Sequence, residues 1–229
     1  RGRLALFHDA DRMAVAVTRD SGHAKAFTAD RARWLRETDR TSMGFIFTDG
    51  PQLHFYEASV ATLRLVAQAL QKVPHRRKSI IYVSIGVPSS PDRVGLMSRA
   101  RGLGAMDGLL DRIRDVLGHA LSSSTSVYAF DPSGVGGLES FAASRPKTRV
   151  GDPERFRQFL REVSDNTGGR ATLQTNDYGP GLTRMFEETA SYYLLGYEST
   201  APPDDGGFRR VEVKSSRSGM TVRARTGYF

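Results

Sequence analysis

The chain has 229 residues, 39% of them hydrophobic and 25% charged, with a formal net charge of +8 and no cysteine. That length buries a core of one domain or somewhat more, and the composition is that of a soluble globular protein. No apolar run approaches a membrane span, no signal peptide is in view, and disulfide and thiolate chemistry are excluded. The first residue is Arg1, which reads as a piece of a longer protein.

RMAVAV (residues 12–17) is an almost continuous apolar run with β-branched members and reads as a buried strand. Asp20-Ser21-Gly22 is a turn signal, and AKAF (24–27) follows, so the two pieces predict a hairpin. TADRARWLRETDR (28–40) reads as a helix, with Thr28 as its N-cap, Asp30 in its first turn, and Trp34 and Leu35 on its apolar side. Residues 42–54 mix Gly, Pro and short apolar pieces.

YEASVATLRLVAQALQKV (56–73) is a strong helix whose stripe is Val60, Leu63, Val66, Ala67 and Leu70, and Pro74 ends it. KSIIYVSIG (78–86) is the clearest buried strand. A polar Gly/Pro loop leads to a second helix in AMDGLLDRIRDVLGHALSSS (105–124), with Leu109, Ile113, Val116 and Leu117 as its stripe. TSVYAFDP (125–132) is another buried strand, and VGGLESFAASRPKTRVG (135–151) reads as a loop. DPERFRQFLREVSDNTGG (152–169) is a helix with Asp152 as N-cap, Pro153 at its first position, Glu154 in its first turn and Gly168-Gly169 as its stop. RATLQT (170–175) is a strand and PGLTRMFEETASYY (180–193) a helix. The tail differs: YYLLGY, FRRVEVKS and MTVRARTG are period-2 stretches that predict a small antiparallel unit.

Alternating strands and helices predict an α/β layered fold with a mainly parallel sheet over residues 1–190, followed by a C-terminal antiparallel β extension over 191–229. No internal repeat or low-complexity segment interrupts this order.

The pieces DADRMAVAVT, FTADRARWLRET, VPHRRKSIIYVSIG, SVYAFDPSG and LREVSDNTGGRATLQTND stand in this order, ending in SYYLLGYEST, FRRVEVK and VRARTGYF. In this order the chain resembles a von Willebrand factor type A domain of the bacterial branch called VWFA-related, over nearly its whole length. YYLLGY followed by FRRVEVK and VRARTGYF is the most specific part. The resemblance implies a doubly wound sheet, ligand binding at the carboxyl ends of its strands, an extracytoplasmic location and a protein partner. It also implies a metal-ion-dependent adhesion site for magnesium or manganese, built on Asp-x-Ser-x-Ser after the first strand, a Thr from a middle loop and an Asp after a later strand.

This chain departs from that pattern. RGRLALFHD (1–9) looks like the end of the first helix, so the first strand and its motif are expected to be missing, leaving a gap in the sheet or forcing it closed. Exposed inner edges of that kind are an aggregation hazard. Ile85 stands where the later Asp would be, after Ser84. The chain therefore reads as having no cofactor of its own, with magnesium or manganese left to a parent that carries the missing motif. Asp49, in GFIFTDG (44–50), has the local dress of a metal ligand but falls between two helices and reads as an Asp-Gly-Pro turn. Asp131-Pro132-Ser133-Gly134 imitates the metal motif without its second Ser. Asp131 and Ser133, with Asn176, Asp177 and Ser84, are the candidates for the ligand edge.

The remaining motifs are weak. His8, His23, His54, His75 and His119 form no HExxH, and no G-x-S-x-G elbow occurs. GLGAMDG lacks the phosphate-loop Lys, and Glu187-Glu188 reads as a solvated helix face. His75-Arg76-Arg77-Lys78 is the single basic cluster, and aromatics are not interleaved with basic residues. The expectation is a non-enzymatic protein-binding or scaffold module. Two rivals stand beside it: a basic nucleic-acid-binding domain, motivated by the charge, and a hydrolase in which Asp131, Ser133 or a His would converge.

Overall fold

The computed structural model describes residues 12–14, 16, 18, 28–30, 32, 33, 36, 52–73, 77–87, 102–144, 153–193, 195, 196 and 209–228. Asp49 lies outside them, as do Asp152 and Pro74. Five helices are described: α1 (Gln52–Gln71), α2 (Gly102–Ser122), α3 (Gly137–Ser144), α4 (Pro153–Asn166) and α5 (Gly179–Ala190). Strands β1 (Lys78–Val83), β2 (Thr125–Phe130) and β3 (Ala171–Thr172) form a parallel sheet in the order β1-β2-β3. β1 and β2 pair from Lys78↔Thr125 to Val83↔Phe130, and β2 meets β3 at Ala129↔Ala171 and Phe130↔Thr172.

The burial patterns follow from position in the sheet. All six residues of β2 are buried, as the central strand of a parallel sheet requires. Its Val127 and Ala129 face one core with Ile80 and Tyr82 of β1, Val60, Leu63, Ala67 and Leu70 of α1, Val116 of α2, and Phe159, Leu160 and Val163 of α4. Tyr128 and Phe130 face the other side, against Met185 and the partly buried Leu182 and Phe186 of α5. Helices thus cover both faces of β2. β1 alternates instead, with Ile81 39% and Val83 44% exposed on the α5 side. Among the described residues β1 is hydrogen-bonded to a strand on one side only.

β3 is shorter than RATLQT predicts, and before it the end of α4 bonds β2 directly. The Thr167 hydroxyl accepts from Val127 N–H at 2.9 Å, and the Ser164 hydroxyl from Ala129 N–H at 3.3 Å. The Thr167 hydroxyl gives the buried Val127 N–H a partner, while Ala129 N–H shares the Ser164 hydroxyl with Arg170 O at 3.0 Å. In the tail, β4 (Arg209–Arg210) and β5 (Gly227–Tyr228) pair antiparallel, as the period-2 reading expects for part of that segment. Among the described residues of YYLLGY, Tyr192, Tyr193, Leu195 and Gly196 are not strand.

Other expectations shift locally. The predicted hairpin near the start shows as one antiparallel bridge, Met13 with Thr28, each N–H donating to the other's carbonyl at 3.0 Å. Thr28 and Asp30 both make bonds of the capping kind: the Thr28 hydroxyl accepts from Asp30 N–H at 3.1 Å, and Asp30 Oδ1 accepts from the N–H groups of Ala32 and Arg33 at 2.9 and 3.0 Å. α1 begins at Gln52, inside the stretch read as irregular, and α2 begins at Gly102, three residues before its predicted start. The predicted loop after β2 contains α3, whose Gly137 start hides a helical LESFAA run. Gly118 sits inside α2 with open space where a Cβ would go. Gly118→Ala is expected to raise stability by about 0.5–1 kcal/mol, because glycine costs a helix interior about that much. Urea unfolding of the two chains measures it.

Candidate functional site

Parallel strands bring their carboxyl ends to one edge, and the loops there carry four of the five candidates: Asp131, Ser133, Asn176 and Asp177 follow β2 and β3. Ser84 follows β1 at the same edge.

Asp131 is the centre. Its backbone N–H donates to Thr172 O at 3.0 Å, continuing the β2–β3 ladder past the last paired residue. Its side chain is fully buried. Oδ1 accepts from the Ser133 N–H at 2.9 Å and from the Ser133 hydroxyl at 2.6 Å, an Asx turn that folds the loop back on the strand. Oδ2 lies 3.5 Å from Nε of Arg157, whose side chain is only 2% exposed. The Tyr178 hydroxyl donates to the Asp131 carbonyl at 3.0 Å.

Arg157 comes from α4, on the stripe that also holds Phe156, Leu160, Val163 and Ser164. A cation on that stripe needs anions at hand. Nη1 lies 2.6 Å from Glu139 Oε1 and Nη2 donates to Oε2 at 2.9 Å, a bidentate fork. The Arg157 guanidinium beside Glu139 holds that carboxyl below its ordinary value. Glu139, and after it Asp131, holds Arg157 above its own. Neither Arg157 nor Glu139 stood among the sequence candidates. The sequence placed Arg157 on a predicted helix, three residues before Leu160, and Glu139 was concealed by reading α3 as a loop.

The other candidates build the loops around this pair. Asn176 Oδ1 accepts from Val135 N–H at 3.1 Å and ties the β3 loop to the β2 loop. Asp177 Oδ1 accepts from Gly179 N–H at 2.9 Å at the start of α5, while the Thr175 hydroxyl bonds the Asp177 backbone. Gln174 takes a left-handed φ of 49° at the end of β3, a strained position on the same edge. The Ser84 hydroxyl accepts from Gly86 N–H at 3.0 Å, and Ser84 N–H reaches Phe130 O at 3.1 Å. Between Gly134 and Gly136, with φ of 70° and 69°, Val135 stands 65% exposed. Two left-handed residues turn the chain outward and back, and Asn176 holds the turn, so an apolar tip is presented at the edge.

Of the groups a hydrolase would need, Asp131 and Ser133 do meet, but over two residues and inside a turn. Both of the serine's polar hydrogens go to a carboxylate paired with Arg157. His119 lies at the opposite end of the sheet, in the last turn of α2, bonded to Gln68 and Gln71 at 3.0 and 3.1 Å. Glu187 and Glu188 part company: Glu187 is exposed, whereas Glu188 is partly buried and accepts from Arg170 at 2.6 Å, because neighbours on a helix point about 100° apart. Among the described residues no group of three or more His, Asp or Glu could hold a metal ion, and no helix is long and apolar enough to cross a membrane. No family model, curated protein or solved structure matches the chain.

Proposed function

We propose that the chain is a non-enzymatic protein-binding module of the von Willebrand factor A kind, acting outside the cytoplasm, whose partner sits on the carboxyl edge of the sheet. The observation that carries this reading is Val135, an exposed apolar residue held out between two left-handed glycines and pinned by Asn176. An apolar residue fixed in advance loses little freedom on binding, which is how a recognition loop gains affinity. The parallel order β1-β2-β3 with helices on both faces of β2 supports the α/β part of the resemblance. The doubly wound sheet of the full domain, and the division at residue 190, belong to the proposal. So does the absence of a cation from the binding step: Asp131, the acid best placed for one, faces Arg157 instead.

The test is a photo-crosslinking amino acid placed at Val135 and, in parallel, at the exposed Met220 of the tail. In host extract the Val135 position is expected to give a discrete protein adduct that the Met220 position does not. Identical adducts from both positions, or none from Val135, would remove the support for this edge.

A further inference from the structure

The basic residues that look scattered in sequence gather at the other edge of the sheet. Because the three strands are parallel, each helix that leads into one ends at the amino edge, and its last carbonyls point there without helical partners. Cations meet them. Lys78 Nζ donates to Val73 O at 3.0 Å, Arg225 Nη1 donates to Leu121 O at 2.9 Å, and Arg223 donates to Gly169 O. Thr226 adds a bond to Asn166 Oδ1 at 2.9 Å, so the tail closes over the ends of α2 and α4.

Some of this charge is matched. Glu188 takes Arg170 at 2.6 Å and lies 4.0 Å from Arg223 Nε, and Asp165 lies 3.6 Å from Arg223 Nη1. Arg77, Lys78 and Arg225 make no ion pair with a carboxylate among the described residues. They are close enough to repel: burial first and then Arg225 lower the Lys78 pKa, and burial first and then Arg77 lower that of Arg225. Arg77 lies 4.8 Å over the ring of Tyr192. Beside it Tyr193 is 88% exposed, and Leu195 is exposed as well. Three like charges, flanked by exposed apolar side chains, outnumber the carboxylate beside them, Glu188, which neighbours Tyr128 together with Arg77 and is already engaged by Arg170.

We propose that this amino edge is a second docking surface, for an acidic segment of a protein partner whose carboxylates sit among Arg77, Lys78 and Arg225 and whose apolar side chains lie on Tyr192, Tyr193 and Leu195. A peptide fits better than a nucleic acid. Two of the cations are anchored on carbonyls and the third on the Tyr192 ring, with no row that follows a phosphate backbone, and Leu195 offers nothing to a base. This surface is separate from the carboxyl edge and stands whether or not Val135 contacts a partner.

The experiment is fluorescence anisotropy of the whole chain with a labelled glutamate/phenylalanine peptide and, separately, an oligothymidine of equal length. Arg77→Gln is expected to weaken the peptide about tenfold, as loss of a partly buried charge contact does, while Arg77→Lys keeps most of the binding. Lys214→Gln with Arg217→Gln, which removes more charge from exposed tail positions, is expected to change it by less than about twofold. Thermal unfolding of each variant checks that the fold persists. Failure of the peptide to bind, equal loss in the tail variant, or tighter binding of oligothymidine lost with Arg77 would overturn the proposal. The last of these would assign the surface to nucleic acid.

Discussion

Replacing Arg157 by alanine is expected to destabilise the fold by about 3–5 kcal/mol, the cost of leaving a buried carboxylate without its cation. Arg157 is 2% exposed and Asp131 fully buried, so the carboxylate stays largely desolvated when the guanidinium is removed. The bidentate pairing with Glu139 goes at the same time, but Glu139 is largely solvated and its loss adds little. A cycle separates the terms: Asp131→Asn in the Arg157→Met background should recover much of the loss, since neither buried charge is then left alone. Chemical denaturation of the four chains gives the coupling. Acid adds a second readout. Glu139 is held below its ordinary value of 4.5 by Arg157. A depressed carboxyl contributes stability that is present above the unfolded value and lost as pH falls through the folded one. The loss therefore begins near 4.5 and continues below it, and Glu139→Gln should flatten that part of the profile.

Gly86→Ala should destabilise the fold by about 2–5 kcal/mol. The residue has φ of 92°, where a side chain costs about 1–2 kcal/mol. A Cβ there would overlap the Phe156 carbonyl oxygen and lie 2.8 Å from its carbon. Both are backbone atoms of α4, so relief requires the helix to move away from the end of β1, adding about 1–3 kcal/mol. The same shift would drag Arg157, the next residue of α4, off Asp131. Guanidinium unfolding of Gly86→Ala beside Gly196→Ala, where a Cβ meets nothing, isolates the effect. A loss below about 1 kcal/mol would mean that α4 is not held against this turn.

Those two positions show what could be read in the sequence and what could not. α1, α2, β1 and β2 were legible because their apolar periods are long and unmixed: Val60, Leu63, Ala67 and Leu70 recur at helical spacing and line one core. Asp131 and Ser133 were legible as a pair because two residues of chain bring them together whatever the fold. Arg157 was not, since a charged residue on an amphipathic face reads as solvent-facing until its anions, 26 and 18 positions earlier, are placed beside it. α3 was lost behind Gly136-Gly137, which look like punctuation. The basic amino edge was lost for the same reason as Arg157: Arg77 and Arg225 are 148 positions apart and come near each other only where the tail docks on the ends of α2 and α4.

In the proposed function the carboxyl edge, organised by Arg157 and Asp131, presents Val135 and recognises a protein without a cation. Crosslinking from Val135, repeated in magnesium and in chelator, tests it most directly. The same adduct at the same yield is expected in both. An adduct that forms only with the metal would place a cation at this edge after all and contradict it.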